Sequence, residues 1–216
     1  MGSITRSFAN NITTSGVLLP ASLVNNSIAN VTSYNAAVAT GGMVLISSQT
    51  ASSSASISFT LSSYKEYQFY FINMHPQTDS VDFGFNFSTD SGSNYNVTKT
   101  STYFLALHTE DDSSTNLAYQ TGSDLAQSTD DVLTGAGNLG ADNDQSVVGK
   151  LSLFNPSSTT YVKHFIFDST LSEFRDRVHT QYIAGYANTT SALTNIRFRM
   201  TSGNIDDGTI LMYGIV

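Results

Sequence analysis

The sequence predicts an all-β protein: an antiparallel, jelly-roll-like β-sandwich of about ten strands behind an extended N-terminal arm. Three observations predict it. Segments of strand length alternate apolar and polar residues with a period of two, and no segment of ordinary helix length keeps a period of 3.6. Charged residues make up only 12% of the chain, about half the usual share of roughly 25%. Ser, Thr and Asn take their place, and the aromatic complement is 13 Phe and 11 Tyr with no Trp. Such residues suit strands and turns better than exposed helices.

The first 42 residues read as an arm. Short apolar clusters (Ile4, Phe8, Ile12, Val17, Leu18, Leu19, Leu23 and Val24) stand among Asn, Ser and Thr without a sustained period. Such a segment has anchors but no face of its own to bury, so it is expected to dock on another surface or a sister subunit. Gly41 and Gly42 supply a hinge into the body, 43–216. Strands are then expected at 43–49, 56–60, 66–74, 81–88, 103–109, 147–154, 161–167, 178–186, 196–200 and 209–215. The cleanest is 81–88 (VDFGFNFS), whose odd positions must face a core. Segment 66–74 (EYQFYFINM) is aromatic on both faces, which predicts a central strand covered on both sides, ended by His75 and Pro76. The stretch from Glu110 to Gln145 reads as one long irregular connection holding eight of the seventeen acidic residues. Helical structure is expected only as short turns near 123–127 and 191–195. Ten strands with long connections fit a jelly roll better than an immunoglobulin domain.

Composition also removes function classes. The net charge is −8 with nine Lys and Arg, and nucleic acid demands a basic face to displace counterions, so no nucleic-acid partner is expected. Arg175, Arg177, Arg197 and Arg199 alternate along the chain as on solvated strand faces. No apolar run approaches the roughly 18 residues of a membrane span, so no membrane insertion is expected. The first eleven residues lack the hydrophobic stretch of a secretory signal. The absence of cysteine weighs against a small disulfide-stapled secreted domain.

No motif for catalysis emerges, and neither enzymatic activity nor a cofactor is expected. The run Gly135-Ala136-Gly137-Asn138-Leu139-Gly140 matches G-x-G-x-x-G. That motif works only between a strand and a helix N-terminus, and acidic residues follow here, so the run reads as a glycine-rich loop. His75, His108, His164 and His179 are too scattered for a metal-ligand spacing; His108 and His164 read as core or interface imidazoles. Asp111-Asp112, Asp142-Asn143-Asp144 and Asp206-Asp207-Gly208 are oxygen-rich, yet none fits a twelve-residue calcium loop, and Asp is common in turns. The six N-x-S/T triplets, at Asn11, Asn25, Asn30, Asn86, Asn96 and Asn188, are what a chain so rich in these residues contains by chance.

Several stretches carry a family resemblance: 4–12 (ITRSFANNI), 47–60 (SSQTASSSASISFT), 71–76 (FINMHP), 88–98 (STDSGSNYNVT), 154–165 (FNPSSTTYVKHF) and 184–215, which ends GNIDDGTILMYGI. Together they resemble virion structural proteins of marine and cyanobacterial tailed phages, with 154–165 and the ending the most specific. The resemblance implies a particle component located in the virion, either a capsid decoration (cement) protein or a tail fibre, and assigns no catalytic residues. The expectation from it and the residues together is a homotrimer whose arm clips onto the major capsid protein or another virion protein. The alternative is a short tail fibre or receptor-binding protein that meets host-surface glycans through a loop bearing Asp111, Asp112, Tyr119, Asp142, Asn143 and Asp144.

Overall fold

The computed structural model describes residues 42–215, at 135–138 by backbone alone. The chain divides into units Met1–Thr40 and Gly41–Val216, and the described fold is that of the second. The arm anchors Ile4, Phe8, Ile12, Val17, Leu18, Leu19, Leu23 and Val24 lie outside the described residues.

Twelve strands follow one another: β1 (Met43–Thr50), β2 (Ile57–Thr60), β3 (Glu66–Pro76), β4 (Val81–Ser88), β5 (Lys99–Thr109), β6 (Thr115–Tyr119), β7 (Val132–Leu139), β8 (Val147–Phe154), β9 (Lys163–Glu173), β10 (Arg177–Ala187), β11 (Asn195–Met200) and β12 (Ile205–Ile215). A wide sheet runs β1-β12-β3-β8-β9-β10-β5-β6 and a narrow one runs β7-β4-β11-β2, every pairing antiparallel. One pair, Leu139 with Glu173, joins them at a corner. Without the hairpins β5–β6 and β9–β10, the wide sheet keeps β1-β12-β3-β8 and the narrow one β2-β11-β4-β7. Counted along the chain, these eight strands are 1-8-3-6 facing 2-7-4-5, the double Greek key of a jelly roll. The two inserted hairpins widen one sheet only.

The alternating pattern explains the core. On β4, Val81, Phe83, Phe85 and Phe87 are buried, and opposite them stand Phe69 and Phe71 of β3 and Phe165 and Phe167 of β9. Phe71 meets Phe83 at 5.2 Å and Phe198 of β11 at 5.1 Å, while Phe85 meets Phe165 at 5.3 Å. All are tilted or edge-on, a geometry that adds about 0.5–1.5 kcal/mol per pair beyond burial. Hydroxyls help to join the layers: Thr134 of β7 reaches Ser169 of β9 at 2.7 Å and also bonds Gln181 of β10.

All ten expected strands are present, several of them longer than expected. Three expectations need correction. First, Glu110 to Gln145 is no single irregular connection, because β6 and β7 lie inside it. β6 is a five-residue edge strand (TNLAY), too short to show a period. Second, the glycine-rich run is no loop but the second half of β7. Val81 pairs with Leu139 and Phe83 with Thr134, so residues 135–138 form a bulge, a place where glycine is common within strands. Third, β3 is central, but the described residues cover it on one side only. Tyr67, Phe69 and Phe71 are buried between the sheets, whereas Ile72 on the other face is 45% exposed.

Candidate functional site

Three features of the body are candidates: a sheet face that the described residues leave uncovered, an acidic loop end and a buried polar cluster.

The outer face of the wide sheet is the largest. Strand register sets Ser48, Leu211, Tyr70, Lys150, Asp168, Tyr182, Phe104 and Tyr119 in one row across all eight strands. A neighbouring row carries Ile72, Val148, Thr170, Thr180, Ala106 and Leu117 on the same face. Phe104 is 47% exposed, Tyr182 45% and Leu117 79%. Phe104 and Tyr119 pack edge-on at 5.4 Å, and so do Tyr70 and Tyr213 at 5.7 Å. Charge is sparse: Lys150 and Asp168 are direct cross-strand neighbours, and Glu66 at the rim accepts a hydrogen bond from Gln68. His108 and His164 both stand on this face, exposed, so the expectation of core imidazoles is corrected while an interface role is left open. His108 pairs with Asp112 at 3.0 Å. The histidine in the core is His179, 1% exposed.

The acidic end gathers the β3–β4, β5–β6, β7–β8, β9–β10 and β11–β12 connections, as strand direction requires. A cleft of about 510 Å³ is lined there by Asn73, His75, Asn143, Asp144, Gln145, Ser146, Asp206 and Asp207. Asp142 offers its carbonyl to His75 at 3.2 Å. Another hollow, about 490 Å³, takes in Asp111 and Glu110 with Arg175, Asp176 and Arg177. Hydrogen bonds from Ser113 and Thr109 hold the Asp111 carboxyl down at about 2. Five of the six residues expected on a glycan loop thus fall at this end, on two separate connections. Tyr119 does not; it closes β6 on the outer face and donates to Asp124 at 2.7 Å. Among the described residues no His, Cys, Asp and Glu group is arranged to hold a metal ion.

The buried cluster has no counterpart in the sequence reading. Lys99, at the start of β5, is 0% exposed, and Asn86 of β4 is 2%. Lys99 Nζ donates to Asn86 Oδ1 at 2.7 Å and to the Val97 carbonyl at 2.6 Å. Asn86 Nδ2 donates to Asp131 Oδ1 at 2.8 Å and to the Thr129 carbonyl at 3.0 Å. Arg199 Nε closes the cluster on Asp131 Oδ2 at 2.6 Å. Two backbone bonds between Lys99 and Ser128, at 2.7 and 3.0 Å, pin the 128–131 segment beside it. Burial pulls the Lys99 amine down to about 8, against the opposing pull of Asp131 and Asp130. The four arginines do not form one patch: Arg175 and Arg177 face Glu173, Arg197 lies over the Tyr95 ring, and Arg199 takes Asp131.

No family model matches the chain, and no curated protein matches it. Among solved structures, an exo-inulinase from Aspergillus awamori is 16% identical over 80% of this chain, with a TM-score of 0.26. The D2–D3 domains of the flagellar cap protein FliD from Escherichia coli are 10% identical over 81% of this chain and 99% of theirs, with a TM-score of 0.12. The chain spans 29% of the length of the exo-inulinase.

Proposed function

We propose that this protein is a non-enzymatic structural component of a tailed-phage particle, a capsid decoration protein that works as a homotrimer. The observation that carries the reading is the outer face of the wide sheet, which the described residues leave uncovered. A lone soluble subunit seldom exposes so many rings and branched chains side by side. The occupant that fits is another copy of the chain. The chain as a whole carries −8, and an acidic surface would repel its own copies. The outer face is close to neutral, with Lys150 and Asp168 compensating each other in register. Eight strands at about 4.8 Å spacing span roughly 34 Å, enough for the ~800 Å² per partner that stable association needs. The resemblance to phage virion proteins supplies the particle. The arm, with Phe8, Ile12 and Val17 to Leu19 as anchors, supplies attachment to the major capsid protein or another virion protein.

Light scattering of the purified protein tests the assembly, with a trimer expected. Removing residues 1–40 tests the attachment: the truncated protein should remain folded and trimeric yet no longer coat capsids. Undiminished coating by it would end the decoration reading.

A second reading has its own observation in the polar cleft at the acidic end. Its volume falls within the roughly 300–1,000 Å³ usual for small ligands. In that reading the protein is a short tail fibre or receptor-binding protein, and Asn143, Asp144 and Asn73 hold the hydroxyls of a host-surface glycan. Copy number in the particle and a glycan array separate the two.

A further inference from the structure

We propose that Lys99 and Asn86 become joined by a spontaneous isopeptide bond, Nζ to Cγ, with loss of ammonia and with Asp131 as the proton carrier.

The geometry is that of an amine poised on a carboxamide. Nζ lies 2.7 Å from Asn86 Oδ1, and Cγ is one C=O bond of about 1.23 Å further on. That places the nucleophile no more than about 3.9 Å from the carbon it attacks, close to the roughly 3–3.5 Å of a near-attack contact. Asp131 contacts the other end of the same carboxamide, 2.8 Å from Nδ2, which is the atom that must leave. Arg199 orients that carboxylate from the solvent side. Water is excluded: Lys99 is 0% exposed and Asn86 2%, and Val97, whose carbonyl accepts from Nζ, is 7% exposed.

The reaction balances without an outside reagent. The neutral amine attacks Cγ and forms the C–N bond. Asp131 takes the proton that the attacking nitrogen sheds and passes it to Nδ2, the Cγ–Nδ2 bond breaks, and ammonia departs. The product is a secondary amide with Oδ1 as its carbonyl oxygen. An amine titrating at about 8 is neutral in roughly one molecule in ten at pH 7, enough for a slow single turnover. The product carries no charge, so the desolvation that opposes a buried ammonium disappears. Lys163 provides the contrast. It is also 0% exposed, yet its Nζ donates to the Thr189 carbonyl at 2.9 Å, a group that offers no leaving amine.

Intact-protein mass spectrometry of the purified chain tests this. The expected mass falls short of the sequence by one ammonia, trypsin fails to cut after Lys99, and the fragment spectrum links Asn86 to Lys99. The variants Lys99→Arg and Asp131→Ala, checked as folded by circular dichroism, should each retain the ammonia. A wild-type chain at full mass overturns the proposal. So does a deficit that persists in Lys99→Arg, since a cyclic imide at Asn86 loses ammonia without any lysine. A deficit unchanged in Asp131→Ala removes the proton carrier and with it the proposed chemistry.

Discussion

His179 lies on the inner side of β10 between Leu171 and Leu107, and neither ring nitrogen has a hydrogen-bond partner among the described residues. Burial lowers its pKa from the ordinary 6.5; Glu173 pulls the other way, and Arg177 and Arg175 add to the lowering. In the window between the lowered value and 6.5 the unfolded chain binds a proton that the folded chain refuses. Stability is therefore intact above about 6.5 and is lost as pH falls below it, with a slope of at most about 1.4 kcal/mol per pH unit. A melting series from pH 7.5 down to 5 should show this fall, and His179→Leu should flatten it. Glu173 nearby is 0% exposed and accepts from Arg175 Nε at 2.7 Å, with Arg177 Nε 3.7 Å away. Breaking a buried ion pair by removing one partner costs about 3–5 kcal/mol. Because both arginines keep contact with water, Glu173→Ala should lower the unfolding free energy by about 3 kcal/mol, the bottom of that range, in chemical denaturation.

Among the elements, Gly185 shows how closely the inserted hairpins approach their neighbours. A Cβ there would stand 2.3 Å from the Thr100 carbonyl oxygen and 2.8 Å from the Phe165 ring, so β5 or β9 would have to move. Gly185→Ala should therefore cost about 1–3 kcal/mol, whereas Gly122→Ala, with nothing within 4 Å, should leave the denaturation midpoint unchanged. What the residue pattern revealed follows the same physics. Strands such as β4, with large side chains on one face, declare their period and were legible. β7 was not, because glycines at 135 and 137 erase the alternation where the strand bulges. β6 was not, because four of its five residues are exposed and bury too little to shape a pattern. The acidic end was legible as a set of Asp-rich turns, and strand direction brings those turns together. The Lys99 cluster was invisible for a different reason. Asn86 and Asp131 are 45 positions apart, and local sequence encodes no such meeting.

For the whole molecule, the decisive fact is that β4 belongs to the narrow sheet and β5 to the wide one. A bond from Asn86 to Lys99 would clamp the two layers covalently. It closes a loop of about 14 residues, and cross-links of that span stabilise by roughly 3 kcal/mol through the unfolded chain. Lys99→Met makes the sign of the effect diagnostic. Methionine matches the length and apolar character of the buried stem but forms no bond. If lysine stays a free amine in the wild type, the substitution removes an ill-solvated charge. Asn86 keeps its other partners, the Phe87 amide at 2.9 Å, the Thr129 carbonyl and Asp131. Stability would then hold or rise. If the bond is present, the substitution deletes it, and the midpoint should fall by about 6–12 °C for a chain of this size. Scanning calorimetry of both proteins at one concentration and pH 7.5 reads the difference. A Lys99→Met protein that melts at or above the wild type would mean that the layers are held by packing alone.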